Sequence, residues 1–278
     1  MNKSHKFRIH ALFHALILPA TLACGKTIVT NKSFHLGTKG LHEWKEFAGK
    51  TPHGRNLSLT FDSKANDKEA TLFLRQDDVK QGWRVSLNGK RLGNLERFES
   101  KVLHSLKVPA NTIREGQNKL AVEAPVTAID DIIVGEGFIE YAPRGEALSQ
   151  SFLEIIAFDK DTSSPLPCRF TITDSKDYLM PLKIKPSLRL AVRSGVVYSI
   201  EGKCKAGVLP GEYIVYATRG FEYGVDSAKV TVKKGETKSV ELTIGREVPT
   251  KGWISCDPHI HVRPFSGHGD STVEERMP

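Results

Sequence analysis

The sequence predicts an all-β protein: two consecutive β-sandwich modules, followed by the first strand, loop and helix start of a β/α unit. Three observations predict it. Short runs of alternating apolar and polar residues, separated by turn residues, fill most of the 278 positions, and helical periodicity is nearly absent. After Gly252 the pattern changes, with an apolar run ending in two histidines and a polar loop leading to a helix start. Composition agrees, since 39% hydrophobic and 26% charged residues with a mean hydropathy of -0.29 exclude a polytopic membrane protein, a collagen and a disordered tail. Four cysteines are too few for a disulfide scaffold.

Residues 1–10 are basic and carry no acid, Ala11 to Ala23 is a short apolar run broken by Pro19, and Thr21-Leu22-Ala23 is a small-residue cleavage site. This predicts a signal peptide over 1–23 and an exported protein, periplasmic or extracellular. Cys24 directly after Leu22-Ala23 invites a lipid anchor, although Thr21 stands where a lipobox usually carries Leu; ordinary cleavage near Ala23 or Gly25 is the alternative. No later stretch reaches 18 apolar residues, so no transmembrane segment is expected. The net charge of +8 includes Lys3, Lys6 and Arg8 of the leader, leaving +5 spread among Asp and Glu along the chain. That distribution suits solvated strand faces, and no nucleic-acid groove is expected.

The first module runs from 27 to 142. Its strands are read at Leu57 to Phe61, Ala70 to Leu74, Trp83 to Leu87, Val102 to Val108, Lys119 to Val122 and Asp131 to Val134. Asn88-Gly89 supplies the two positive-φ residues of a tight hairpin. Trp83, Asn88-Gly89, Val108-Pro109 and Gly116-Gln-Asn118-Lys-Leu120 together resemble the galactose-binding-like jelly-roll family. The resemblance implies sugar binding in some members and scaffolding in many, so a glycan or cell-surface polymer is the partner to weigh. Trp44 and Trp83 fit core packing better than a sugar platform.

Pro143-Arg-Gly145 and the polar residues after it predict a linker, cut first by proteases, before a second β module over 149–246. Phe158-Asp-Lys-Asp161-Thr162, Pro165-Leu-Pro167, the strand Arg169 to Thr173 and Leu209-Pro210-Gly211-Glu-Tyr213 resemble a prealbumin-like, carboxypeptidase-regulatory-like domain, which implies a structural role. Lys229 to Val232, the turn Lys234-Gly235-Glu236 and Ser239 to Ile244 complete a strand pair. Cys168 and Cys204 lie in this module, and export permits a disulfide, but sequence does not place their Cα atoms.

The chemistry concentrates in 252–278. In Cys256-Asp257-Pro258-His259-Ile260-His261 a strand would point both imidazoles to one face, about 7 Å apart along the chain, with Asp257 on the same side. Neutral imidazole suits Zn, Mn or Fe, and Asp257 is a candidate ligand or supporting acceptor. Phe265-Ser-Gly-His268-Gly-Asp270 is a polar loop, and Thr272-x-x-Glu275 is a capping box. A strand, a liganding loop and a helix make the first unit of a β/α barrel, whose site lies at the C-terminal ends of its strands.

These residues resemble the first motif of PHP-type metal-dependent hydrolases, in the CehA/McbA-like branch, where accessory β modules often precede the catalytic barrel. The resemblance implies that His259, His261 and His268 are metal ligands, with Asp270 a further candidate. Arg219-Gly-Phe-Glu222-Tyr223-Gly also resembles a segment common before that barrel. Cys256-Asp257-Pro258-His259 stands where members commonly read Gly-Asp-Leu-His; Pro258 has no amide for a strand ladder, and Cys256 is a neutral replacement or a soft ligand.

A β/α barrel needs about 200 to 250 residues, and 252–278 holds one β/α unit, so catalytic incompleteness and weak or absent metal binding are expected. His35, His42, His53 and His104 make no ligand-spaced pair. No Gly-x-Ser-x-Gly elbow, P-loop or Cys-x-x-Cys occurs. Two functions are therefore weighed: the exported forepart of a PHP-type hydrolase, or a secreted carbohydrate- or surface-binding β-sandwich protein without catalysis.

Overall fold

The computed structural model describes residues 26–43, 45–126, 129–253, 256, 259–262 and 272–273. Its architecture is all-β. In the first module the strands are β1 (Thr27–Ile28), β2 (Ser33–Leu36), β3 (Asn56–Ser63), β4 (Ala70–Asp77), β5 (Arg84–Leu87), β6 (Lys90–Asn94), β7 (Val102–Val108), β8 (Gly116–Glu123) and β9 (Ile132–Glu140). They form two antiparallel sheets, β3-β8-β5-β6 and β1-β9-β4-β7, with β2 sharing the β1 edge of β9. Leu57, Phe61, Val85, Leu87, Leu120 and Val122 from the first sheet, with Trp83 just before β5, meet Leu72, Leu74, Leu106, Val134 and Ile139 from the second in one core.

Several local devices set this geometry. Asn88 and Gly89 adopt φ of 51° and 79°, the left-handed pair that turns β5 into β6. The Asn88 side chain also donates to the Thr112 carbonyl at 2.9 Å and accepts from the Lys119 amide at 2.9 Å, so the hairpin tip is fastened to its neighbours. At Gly135 (φ 152°) any Cβ would stand 2.1 Å from the Lys32 carbonyl oxygen. Only glycine fits there, where the chain between β1 and β2 crosses β9.

The second module contains β10 (Ser151–Asp159), β11 (Cys168–Thr173), β12 (Leu190–Arg193), β13 (Val196–Ser199), β14 (Lys203–Val208), β15 (Gly211–Thr218), β16 (Asp226–Val232) and β17 (Thr237–Ile244). Sheet β14-β10-β17 packs on sheet β12-β13-β11-β15-β16. The module's first and last strands, β10 and β17, pair in parallel from Phe152↔Thr237 to Asp159↔Ile244. Asp159 accepts the amides of Asp161 and Thr162, each at 2.9 Å, which turns the chain out of β10.

Between the modules the structure corrects the expected linker. Arg144–Ala147 is a single helical turn, α1, and both Ala147 and Leu148 are fully buried. Leu148 sits in the second core together with Phe73, Leu103 and Phe138 of the first module. Strand β4 is thus buried on both faces, the meaning of the unbroken apolar run Leu72-Phe73-Leu74. Phe73 and Phe138 stack with centroids 5.0 Å apart, and burying each ring contributes about 2–3 kcal/mol.

Candidate functional site

At its C-terminal end the second sandwich closes into a corner. Beyond β17 the segment Gly245–Val248 runs against the turn 219–224: the Gly224 amide donates to the Gly245 carbonyl (3.0 Å), and the Glu247 amide to the Glu222 carbonyl (2.8 Å). Arg246 forms an ion pair with Glu222, donates to Thr250 Oγ1 at 2.6 Å, and lies 4.9 Å from the Tyr223 ring centroid. Arg219 approaches the same ring at 5.4 Å. The Arg219-Gly-Phe-Glu-Tyr-Gly segment singled out in the sequence is therefore what fastens the start of the tail. Phe221, within that turn (98% exposed), and Trp253, beyond Thr250 (82%), both stand in solvent.

His259 and His261 follow. Their rings stack with centroids 4.8 Å apart and planes 25° apart, and the two Nε2 atoms stand 2.7 Å from each other. Both residues are exposed, and residues 259–262 are not in a strand, so the convergence does not come from the pleat that the sequence predicted. Two ring nitrogens that meet this way can share a proton or turn toward one cation; on a tetrahedral ion they would stand about 3.3 Å apart, a small opening. Cys256 is an exposed thiol. His268, Asp257 and Asp270 lie outside the described residues, as do Cys24, Trp44 and the leader. Among the described residues no group of three or more His, Cys, Asp and Glu is arranged to hold a metal ion.

Sequence spacing missed a second polar cluster, because folding makes neighbours of distant loops. His35 Nε2 and Asp131 Oδ1 are 2.8 Å apart, the His35 amide donates to His53 Nδ1 at 3.2 Å, and the Glu43 amide donates to Asp131 Oδ2 at 2.8 Å. Next to it, Asp130 Oδ2 accepts from the Trp83 indole (2.7 Å) and the Gln81 amide (3.0 Å). Trp83 is 1% exposed, so it is a core residue and offers no sugar platform. Burial pushes the Glu43 carboxyl above the usual range; Lys80 opposes this and Asp130 adds to it. Lys80 pairs with both Glu43 and Asp78, filling the place where a cation would be attracted. The cluster fastens loops at one end of the first sandwich.

A cleft of about 360 Å³ opens at the seam between modules, lined by Glu96, His104, Ser105, Arg144 and Ser194 among others. Its polar groups already satisfy each other. Ser194 Oγ donates to Glu96 at 2.6 Å, His104 lies 3.4 Å from the same carboxylate, and Arg144 donates to Ser105 at 2.9 Å and to the Leu182 carbonyl at 3.2 Å. Across the same seam Arg75 pairs with Asp174 and Lys176 reaches Glu136 at 2.7 Å, while Arg75 and Glu136 also pair within the first module. The cleft is a polar seam between two folded units.

No protein-family model matches the chain, and no curated protein matches it. Similar solved structures include a minor pilin of Streptococcus agalactiae, 16% identical over 69% of this chain and 88% of that one with a TM-score of 0.31. The major pilin subunit of Bacillus cereus is 12% identical over 69% of this chain and 64% of that one, with a TM-score of 0.26. The TIE protein of Bacillus anthracis is 13% identical over 80% of this chain, which spans 41% of that protein, with a TM-score of 0.25. Among the described residues no helix is long and apolar enough to cross a membrane.

Proposed function

We propose that the described sandwiches are a non-catalytic scaffold, and that they serve as the exported forepart of a PHP-type metal-dependent hydrolase whose catalytic domain opens within 252–278. The observation that carries this reading is the meeting of His259 and His261 at 2.7 Å between Nε2 atoms, directly after a corner that fastens the chain. Two neutral imidazoles suit Zn, Mn or Fe, and such an ion would supply an activated water or a Lewis acid. His259 and His261 would hold it; by resemblance His268 and Asp257 would add donors. Two imidazoles are half of a tetrahedral set, so His259 and His261 by themselves would hold a metal only weakly.

Calorimetry with Zn and Mn on the full chain, beside a His259→Ala/His261→Ala variant, tests the assignment. A weak heat that disappears in the variant supports it, and equal heats in both refute it. Reading the gene past codon 278 tests the larger claim, since a β/α barrel in frame or one base out of frame is required. A second reading, a surface- or glycan-binding sandwich without catalysis, is favoured by the exposure of Phe221 and Trp253 on one corner. Glycan-array binding abolished by Phe221→Ala or Trp253→Ala would select it.

A further inference from the structure

Cys168 and Cys204 sit on opposite sheets of the second sandwich, and the path of the chain brings them to one corner. Cys168 opens β11 and is the register partner of Ser199, the last residue of β13. From Ser199 the chain turns through Gly202 and enters β14 on the facing sheet. Ser199 closes this turn, its hydroxyl donating to the Lys203 carbonyl at 2.8 Å and accepting the Lys203 amide at 3.1 Å. Cys204 is therefore one residue away from the group tied to the strand partner of Cys168.

Side-chain direction agrees. Along β11 the buried alternation Cys168, Phe170, Ile172 points inward. Across the β10–β14 ladder Cys204 is opposite Ile155, whose own inward face continues at Leu153 and Ala157. Both thiols thus enter the same core, Cys168 at 8% exposure and Cys204 packed against that cluster. Both are free thiols in this structure. Burial pushes each up to about 12, and Cys204 is raised further by the neighbouring Cys168. Thiols so protonated are poor nucleophiles and poor ligands at neutral pH, whereas a disulfide in the same place has no charge to desolvate.

We infer that Cys168 and Cys204 are a disulfide-forming pair that staples the two sheets of the second sandwich at the β13–β14 crossover. In forming it the two thiols give up two protons and two electrons to a disulfide oxidant: one S–S bond forms between the cysteines, and the oxidant's S–S bond is reduced to two thiols. The bond closes the 168–204 segment, which contains the edge pair β12–β13, and stabilises the fold chiefly by restricting the unfolded chain.

The test uses the full chain, incubated with oxidised glutathione and then denatured in N-ethylmaleimide without reductant. Peptide mapping should return a linked Cys168–Cys204 pair, with Cys256 alkylated. Melting of the oxidised chain should lie about 6–12 °C above that of the chain treated with dithiothreitol. In a Cys168→Ser/Cys204→Ser variant the reductant should change nothing. Alkylation of both cysteines in the oxidised wild type, a glutathione adduct remaining on either, or a bond from either to Cys24 or Cys256 would overturn the inference. The mapping is made on wild type, so a variant that fails to fold leaves the decision intact.

Discussion

Two carboxylates show how the same residue type acquires opposite worth from its surroundings. Burial at the seam pushes Glu96 up, but hydrogen bonds from His104 and Ser194, with Arg144 nearby, outweigh it and hold the carboxyl below its usual range. A folded-state value below the unfolded one means stability that is present above the unfolded value, about 4.3, and lost as pH falls through the folded one. Glu43 is raised, chiefly by burial, so its charged form costs stability at neutral pH and that cost is relieved as pH falls through the folded value. Glu96→Gln should therefore destabilise the chain at pH 7 by about 1 kcal/mol, the difference fading below about pH 4. Glu43→Gln should be neutral or slightly stabilising at pH 7, and urea titrations across pH would expose a wrong sign for either. A third residue sets a larger scale. Trp83→Phe keeps the ring in the core but removes a donor from the buried Asp130 carboxylate, and should cost about 2 kcal/mol in the same assay.

At the scale of elements, Leu148 separates what packing decides from what local composition suggests. Pro143-Arg-Gly145 reads as a linker because its residues favour turns, yet the chain there makes α1 and drives Leu148 into a core shared by both modules. Leu148→Ala should cost about 2–5 kcal/mol, and limited proteolysis of the folded wild type should spare 143–149; early cleavage there would contradict the packing. Elements long enough to show a pattern were legible: β7 spans Val102–Val108 as the sequence predicts, and the Asn88-Gly89 hairpin turns where its chemistry demands. Short strands such as β1, β2, β12 and β13 were not, since two to four residues carry no period to read and their register is imposed by a neighbour. The candidate site was half legible. His259 and His261 are one residue apart in sequence and were visible as a pair, whereas His35, His53 and Asp131 become neighbours only when β2 lies along β9.

For the whole molecule the decisive feature is that the second core contains Phe73, Leu103 and Phe138 from the first module. Two sandwiches joined by an exposed linker would unfold independently, each with its own heat. Here the outer face of the β9-β4-β7 sheet is covered by the second sandwich, and the cover is reinforced by polar ties: Arg75 with Asp174, Lys176 with Glu136, and Ser194 with Glu96. The backbone joins in as well, the Leu103 amide donating to the Leu179 carbonyl at 3.0 Å and the Leu179 amide to the Lys101 carbonyl at 2.9 Å. Separating the modules would expose two stacked phenylalanines and strand uncompensated charges, a cost of several kcal/mol against a typical domain stability of about 5–15 kcal/mol. Calorimetry of the full chain should accordingly show one cooperative transition. Phe73→Ala, which opens the seam by about 3–5 kcal/mol without touching either sandwich's far sheet, should broaden that transition or split it in two. Two resolved transitions in the wild type, or a Phe73→Ala variant that melts earlier but as sharply as the parent, would mean that the seam is a contact between independent domains and not part of a common core.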